Sequence, residues 1–99
     1  MIHRVVVRPP AMEDIAEAVT WYEDQSAGLG EDLTDEIVKA IRRAQESPDL
    51  FRILRSSDGM RRVLTERFPY RVFFSIVDDT LYVHAVLHGA RHDRHWKVR

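Results

Sequence analysis

At 99 residues with no cysteine, the chain is long enough for one modest core and too short for two, and it excludes a disulfide framework or a thiolate metal site. Its formal net charge of -1 argues against an indiscriminate nucleic-acid binder, but the charge is divided along the chain: residues 11–50 carry eleven acidic residues against three basic ones, and residues 51–99 carry ten basic against five acidic. No apolar run reaches the length of a signal-peptide core or a membrane span, so a cytoplasmic protein with one domain over residues 1–99 and no membrane partner is expected.

Residues 2–8 read as a first strand, with Val5, Val6 and Val7 able to bury both faces, as in a strand inside a sheet. Pro9 and Pro10 end it, and proline is tolerated in the first turn of the helix predicted over residues 11–25. In that helix Met12, Ile15, Val19 and Tyr22 recur at three- and four-residue spacing while Glu13, Asp14, Glu17, Glu23 and Asp24 turn outward. Gly28 and Gly30 supply a reversal into a second helix over residues 31–47. Its apolar stripe is Leu33, Ile37, Ile41 and Ala44, with acids in its first turn and Arg42 and Arg43 near its end, in agreement with the helix dipole. Pro48 closes it, and two adjacent amphipathic helices with so short a connection should form a hairpin laid over an apolar sheet face.

A turn-rich loop over residues 49–59 leads to a strand over residues 60–67, which Phe68-Pro69 interrupts. The stretch FPYRVFFSIVDDTLYVHAVLH, residues 68–88, then reads as a hairpin around Asp78-Asp79. If Val77 and Thr80 close the turn, one face carries Tyr70, Val72, Phe74 and Ile76 opposite Leu87, Ala85, Val83 and Leu81, which is apolar throughout and suits a surface under helices. The other face carries Arg71, Phe73 and Ser75 opposite Val86, His84 and Tyr82, with His88 at its end. This mixed face is the candidate working surface, although an antiparallel sheet commonly leaves one face in water without any function.

The element order is strand, helix, helix, strand, strand, strand, an α+β class with a small antiparallel sheet (β-α-α-β-β-β) and a two-helix hairpin on one face. Carried by Trp21-Tyr22, Gly28-Leu29-Gly30, Pro48, Arg61-Arg62-Val63-Leu64, Phe68-Pro69-Tyr70-Arg71-Val72 and the run from Ala85 to Arg91 leading to Trp96, the chain resembles the RelE/ParE superfamily of type II toxin-antitoxin toxins, also called plasmid stabilisation proteins. The resemblance covers nearly the whole chain. It implies a toxin that arrests growth when free and is held in a hetero-oligomer by a small cognate antitoxin. The target would be DNA gyrase, by protein contact, in the ParE branch, or ribosome-bound messenger RNA, by metal-independent endoribonuclease cleavage (an mRNA interferase), in the RelE branch. A non-toxic member kept as an interaction module is the alternative. No cofactor is implied.

Arg62, Arg71 and Arg91 match basic positions that hold phosphate in the nuclease branch, and His88 is the candidate acid or base beside them, with His92 and His95 as substitutes. Phosphodiester cleavage by the neighbouring 2′-hydroxyl needs cations near the phosphorane and an in-line proton acceptor and donor, which this set can supply. Leu64 stands where that branch would carry a second strand lysine, and no tyrosine follows Arg91. Arg61 and Arg62 are adjacent on a strand, so only one of them can reach the working face. His84 and His88, four residues apart on a strand, lie about 13 Å apart, too far to share a metal ion. Trp21 reads as packing or interface, and an antitoxin is expected to cover the basic surface near Arg62 and Arg71.

Overall fold

The computed structural model describes residues 2–55 and 57–89. In chain order these form β1 (Arg4–Val7), α1 (Pro9–Gln25), α2 (Leu29–Glu46), a single 3-10 turn (Pro48–Leu50), β2 (Arg61–Leu64), β3 (Tyr70–Val77) and β4 (Thr80–His88). Both prolines fall within the first turn of α1, where their missing N–H groups cost nothing. Gly28 takes a left-handed φ of 95°, and Gly30 sits where a Cβ would lie 3.0 Å from the Val19 carbonyl oxygen, so the hairpin closes tightly here. The Glu23 carboxylate accepts the Gly28 and Gly30 N–H groups at 3.1 and 3.0 Å, which otherwise would be orphan donors at the start of α2.

The α+β class and the helical hairpin on one sheet face are as the sequence predicts. The sheet order is β1-β4-β3-β2, with β1 parallel to β4 and the other pairs antiparallel, so the sheet is mixed. β1 is an edge strand rather than an inner one: it pairs only with β4, Val7 packs on the core, and Val5 is 38% exposed. The strand after the loop is shorter than the predicted residues 60–67, ending at Leu64, because Thr65 folds its hydroxyl back onto the backbone of Phe68 and Tyr70. This β2–β3 connection is tied to α2 by Glu36, whose carboxylate accepts the Glu66 and Arg67 N–H groups at 3.0 and 2.8 Å.

The main core lies between helices and sheet. Leu33, Ile37, Ala40 and Ala44 of α2 are buried against Val72, Phe74, Leu81 and Val83, with Ile15, Val19 and Ile41 partly buried beside them. The buried stripe of α1 is rotated from the predicted one: Ala11 and Ala18 are covered, whereas Met12 is 59% exposed. Small residues let α1 approach the sheet closely, and the larger Met12 is left on the rim.

The hairpin departs from simple alternation at one point. Val77 pairs with Thr80 and Phe74 with Val83 as predicted, with Asp78 taking the left-handed φ of 56° that a tight turn asks for and aspartate tolerates. Between Phe73 and Phe74 the register shifts, so that Phe73 faces Ala85 and His84 is an extra residue in β4. A β-bulge exchanges the faces of everything beyond it. Ala85 and Leu87 therefore do not face the helices as predicted; Val86 does, while Ala85 and Leu87 join Phe73, Met60 and the partly buried Leu54 in a second apolar cluster on the opposite face.

Candidate functional site on the sheet face

Arg62 pairs with Phe73 and Leu64 with Arg71, while Arg71 also faces Leu87. Residues directly opposite in an antiparallel ladder share a face. Arg62 and Arg71, both partly exposed, thus stand on the sheet face away from the helices, around the buried Phe73, Ala85 and Leu87. Arg71 donates through Nη2 to the Gly89 carbonyl oxygen, which steadies the guanidinium at the end of the hairpin. Arg61 opposes Phe74 and points to the helix side, where it donates to the carbonyl oxygens of Pro48 and Phe51 at 2.7 and 3.1 Å. The two adjacent arginines divide as strand geometry requires, one tying down the 3-10 turn and one on the candidate surface.

His88 does not join them. It pairs with Tyr70, their rings edge to face at 5.4 Å, and Tyr70 itself lies against Tyr22 of α1 at 6.2 Å, so the imidazole stands on the helix side of the sheet. The bulge is the cause: without the extra residue His88 would share the face of Arg71. Arg91, His92 and His95 lie outside the described residues. Of the four predicted site residues, the structure brings together Arg62 and Arg71.

A pair without an assigned role in the sequence stands on that face instead. Ser75 Oγ and His84 Nε2 are 2.7 Å apart, with the Tyr82 ring 6.4 Å from the imidazole. Burial, and then the nearby Arg8 charge, hold the His84 pKa below its usual 6.5, so the ring is neutral at pH 7. The signal was present in the sequence, since Ser75, Tyr82 and His84 fall on the mixed face, and the bulge leaves His84 on that face beside Ser75. Among the described residues no group of three His, Asp or Glu side chains is placed to hold a metal ion, and no helix is long and apolar enough to cross a membrane.

The surface is therefore a cationic rim around a buried apolar patch, with a neutral hydroxyl–imidazole pair at one side. A comparison with curated protein sequences gave no match. Among solved structures, the chromosomal ParDE toxin-antitoxin system from P. aeruginosa superposes with a TM-score of 0.72, covering 88% of this chain and 96% of that one at 16% identity, a likeness of fold. The family model described as the ParE toxin of the type II toxin-antitoxin system, parDE, matches residues 5–93. That match runs from β1 through the helical hairpin and the whole sheet, and by it the chain belongs to the ParE toxin family of type II toxin-antitoxin systems.

Proposed function

We propose that the free protein arrests growth by protein contact with DNA gyrase through the sheet face bearing Arg62 and Arg71, and that a cognate antitoxin neutralises it by covering part of that face in a toxin-antitoxin hetero-oligomer in the cytoplasm. The observation that carries this reading is the bulge at His84, which leaves Arg62 and Arg71 around an apolar cluster and sends His88 to the other side of the sheet. Cations around an apolar patch recognise a protein surface without any acid or base. Induced expression without the antitoxin should stop growth with lost supercoiling and a DNA-damage response. Arg71→Ala should relieve the arrest while leaving stability within about 1 kcal/mol, because the side chain lies outside the main core. An Arg71→Ala protein that remains fully toxic would place the working surface elsewhere.

A second reading rests on Ser75 and His84. If the target is ribosome-bound messenger RNA, Arg62 and Arg71, with Arg91 of the tail, hold phosphate, and the neutral His84 imidazole rather than His88 is the base on their face. Expression would then shorten messenger RNA, and His84→Gln would slow cleavage by about 10²- to 10⁴-fold with His88→Gln close to wild type.

A further inference from the structure

α1 carries five carboxylates and no basic residue. Two are engaged within the molecule: Glu23 closes the helical hairpin, and Asp14 accepts the Val86 N–H of β4 at 2.9 Å. Of the other three, all exposed, Glu17 and Asp24 lie one turn before and one turn after Trp21, whose indole is 57% exposed and packs edge-on against Tyr22 at 4.9 Å. An exposed indole offers the large, rigid contact area that is enriched at binding hot spots. Trp21 and Glu17 form the ridge between two depressions. One is shallow, shared with Thr20 and Asp24; the other is a cleft of about 230 Å³ that runs from Trp21 to Tyr70 and Leu87 at the far end of the hairpin.

We propose that this ridge receives an arginine side chain of the cognate antitoxin, its guanidinium stacked on the Trp21 indole between the carboxylates of Glu17 and Asp24. The inference rests on the reading of a neutralised toxin and names the chemistry of a second contact. An indole face flanked by two carboxylates attracts a planar cation through the ring quadrupole and two ion pairs together, and arginine is less strongly hydrated than lysine. The antitoxin is the occupant because the cleft is continuous with the surface assigned to it: the strand ends that bring Tyr70 and His88 to the cleft carry Arg71 and Leu87 on the sheet's other side. A segment that leaves the basic face around this end enters the acidic cleft, so it needs acidic residues for Arg71 and a basic one for Trp21.

The test is the affinity of the purified full-length protein for the protein encoded by the adjoining reading frame. Trp21→Ala should weaken binding by roughly 3- to 30-fold, with Trp21→Phe retaining part of it. The double change Glu17→Lys with Asp24→Lys should weaken it by about tenfold or more. Asp35→Lys, an equally exposed acid on α2, should leave it within about twofold, since a distant exposed charge is screened. Circular dichroism melting checks that each variant is folded, and the double change involves exposed side chains alone. Unchanged affinity in Trp21→Ala and in the double change would overturn the inference, as would an equal loss in Asp35→Lys, which would reveal general electrostatic attraction without a site. If the wild-type protein binds no such partner, the neutralised-toxin reading itself fails, and this inference fails with it.

Discussion

On the turn side of His84, β3 and β4 keep one pairing, from Val77 with Thr80 to Phe74 with Val83; on the far side every pair is shifted by one residue, from Phe73 with Ala85 to Tyr70 with His88. The near half buries one face under the helices and leaves the other half-exposed through Ser75, Tyr82 and His84. The far half buries both faces, Val72 and Val86 toward the helices and Phe73, Ala85 and Leu87 away from them. One inserted residue thus gives a thin protein a second apolar cluster, and sets the cations of β2 and β3 around it. It also breaks the ladder on a strand that has lost its neighbour, since β1 stops at Val7 and turns into α1. There the Asp14 carboxylate stands in for the missing strand by accepting the Val86 N–H.

The largest effects should come from the two phenylalanines on either side of the shift. Phe74→Ala and Phe73→Ala should each lower unfolding free energy by about 3–5 kcal/mol, because both rings are fully buried although they face opposite ways. Urea unfolding of the two variants measures this directly. A loss below about 1 kcal/mol at Phe73 alone would mean that the second cluster is no core, and the contrast between the halves would collapse.

Asp14→Ala should come next, at about 1–3 kcal/mol, the cost of leaving the Val86 N–H without its acceptor. Asp14→Asn, whose amide oxygen still accepts, should lose less. Hydrogen exchange at Val86 should quicken in the alanine variant while exchange at Arg8, whose N–H is donated to the Val83 carbonyl oxygen, stays slow.

A smaller effect belongs to the near half and depends on pH. His84 has a folded-state pKa below 6.5, so the unfolded chain takes up its proton first as pH falls. The stability this contributes is present above 6.5 and is lost as pH drops from there through the lowered folded-state pKa. Unfolding midpoints taken between pH 7.5 and 5 should therefore fall, and His84→Gln should flatten that part of the profile. A profile unchanged by the substitution would show that the ring titrates as it does in water.

The smallest effect should be at Glu36, which caps the β2–β3 connection from the solvent side. The Arg67 N–H holds its pKa below 4.5 against the opposing effect of burial, with lesser help from the Glu66 N–H and the Lys39 and Arg43 charges. Its contribution is present above 4.5 and disappears as pH falls below it, and because the group is exposed it should amount to less than about 1 kcal/mol. Glu36→Gln should lower the melting temperature slightly at pH 7 and not at pH 3.

The residues alone determine the class, the two helices, the tight Asp78-Asp79 turn, the apolar stripe of α2 and the division of Arg61 from Arg62, because each follows from local periodicity or from the alternation of a strand. The edge position of β1 and the exposure of Met12 are decided by which neighbours the fold brings up, and three consecutive valines or one methionine look the same in either setting. The bulge is the case with the greatest consequence for function. Ala85, Val86 and Leu87 are apolar in succession, so the polarity pattern of β4 is satisfied in both registers and cannot tell them apart. Only packing against Met60 and Leu54 on one side and the helices on the other selects the shifted register, and with it the face on which His88 stands.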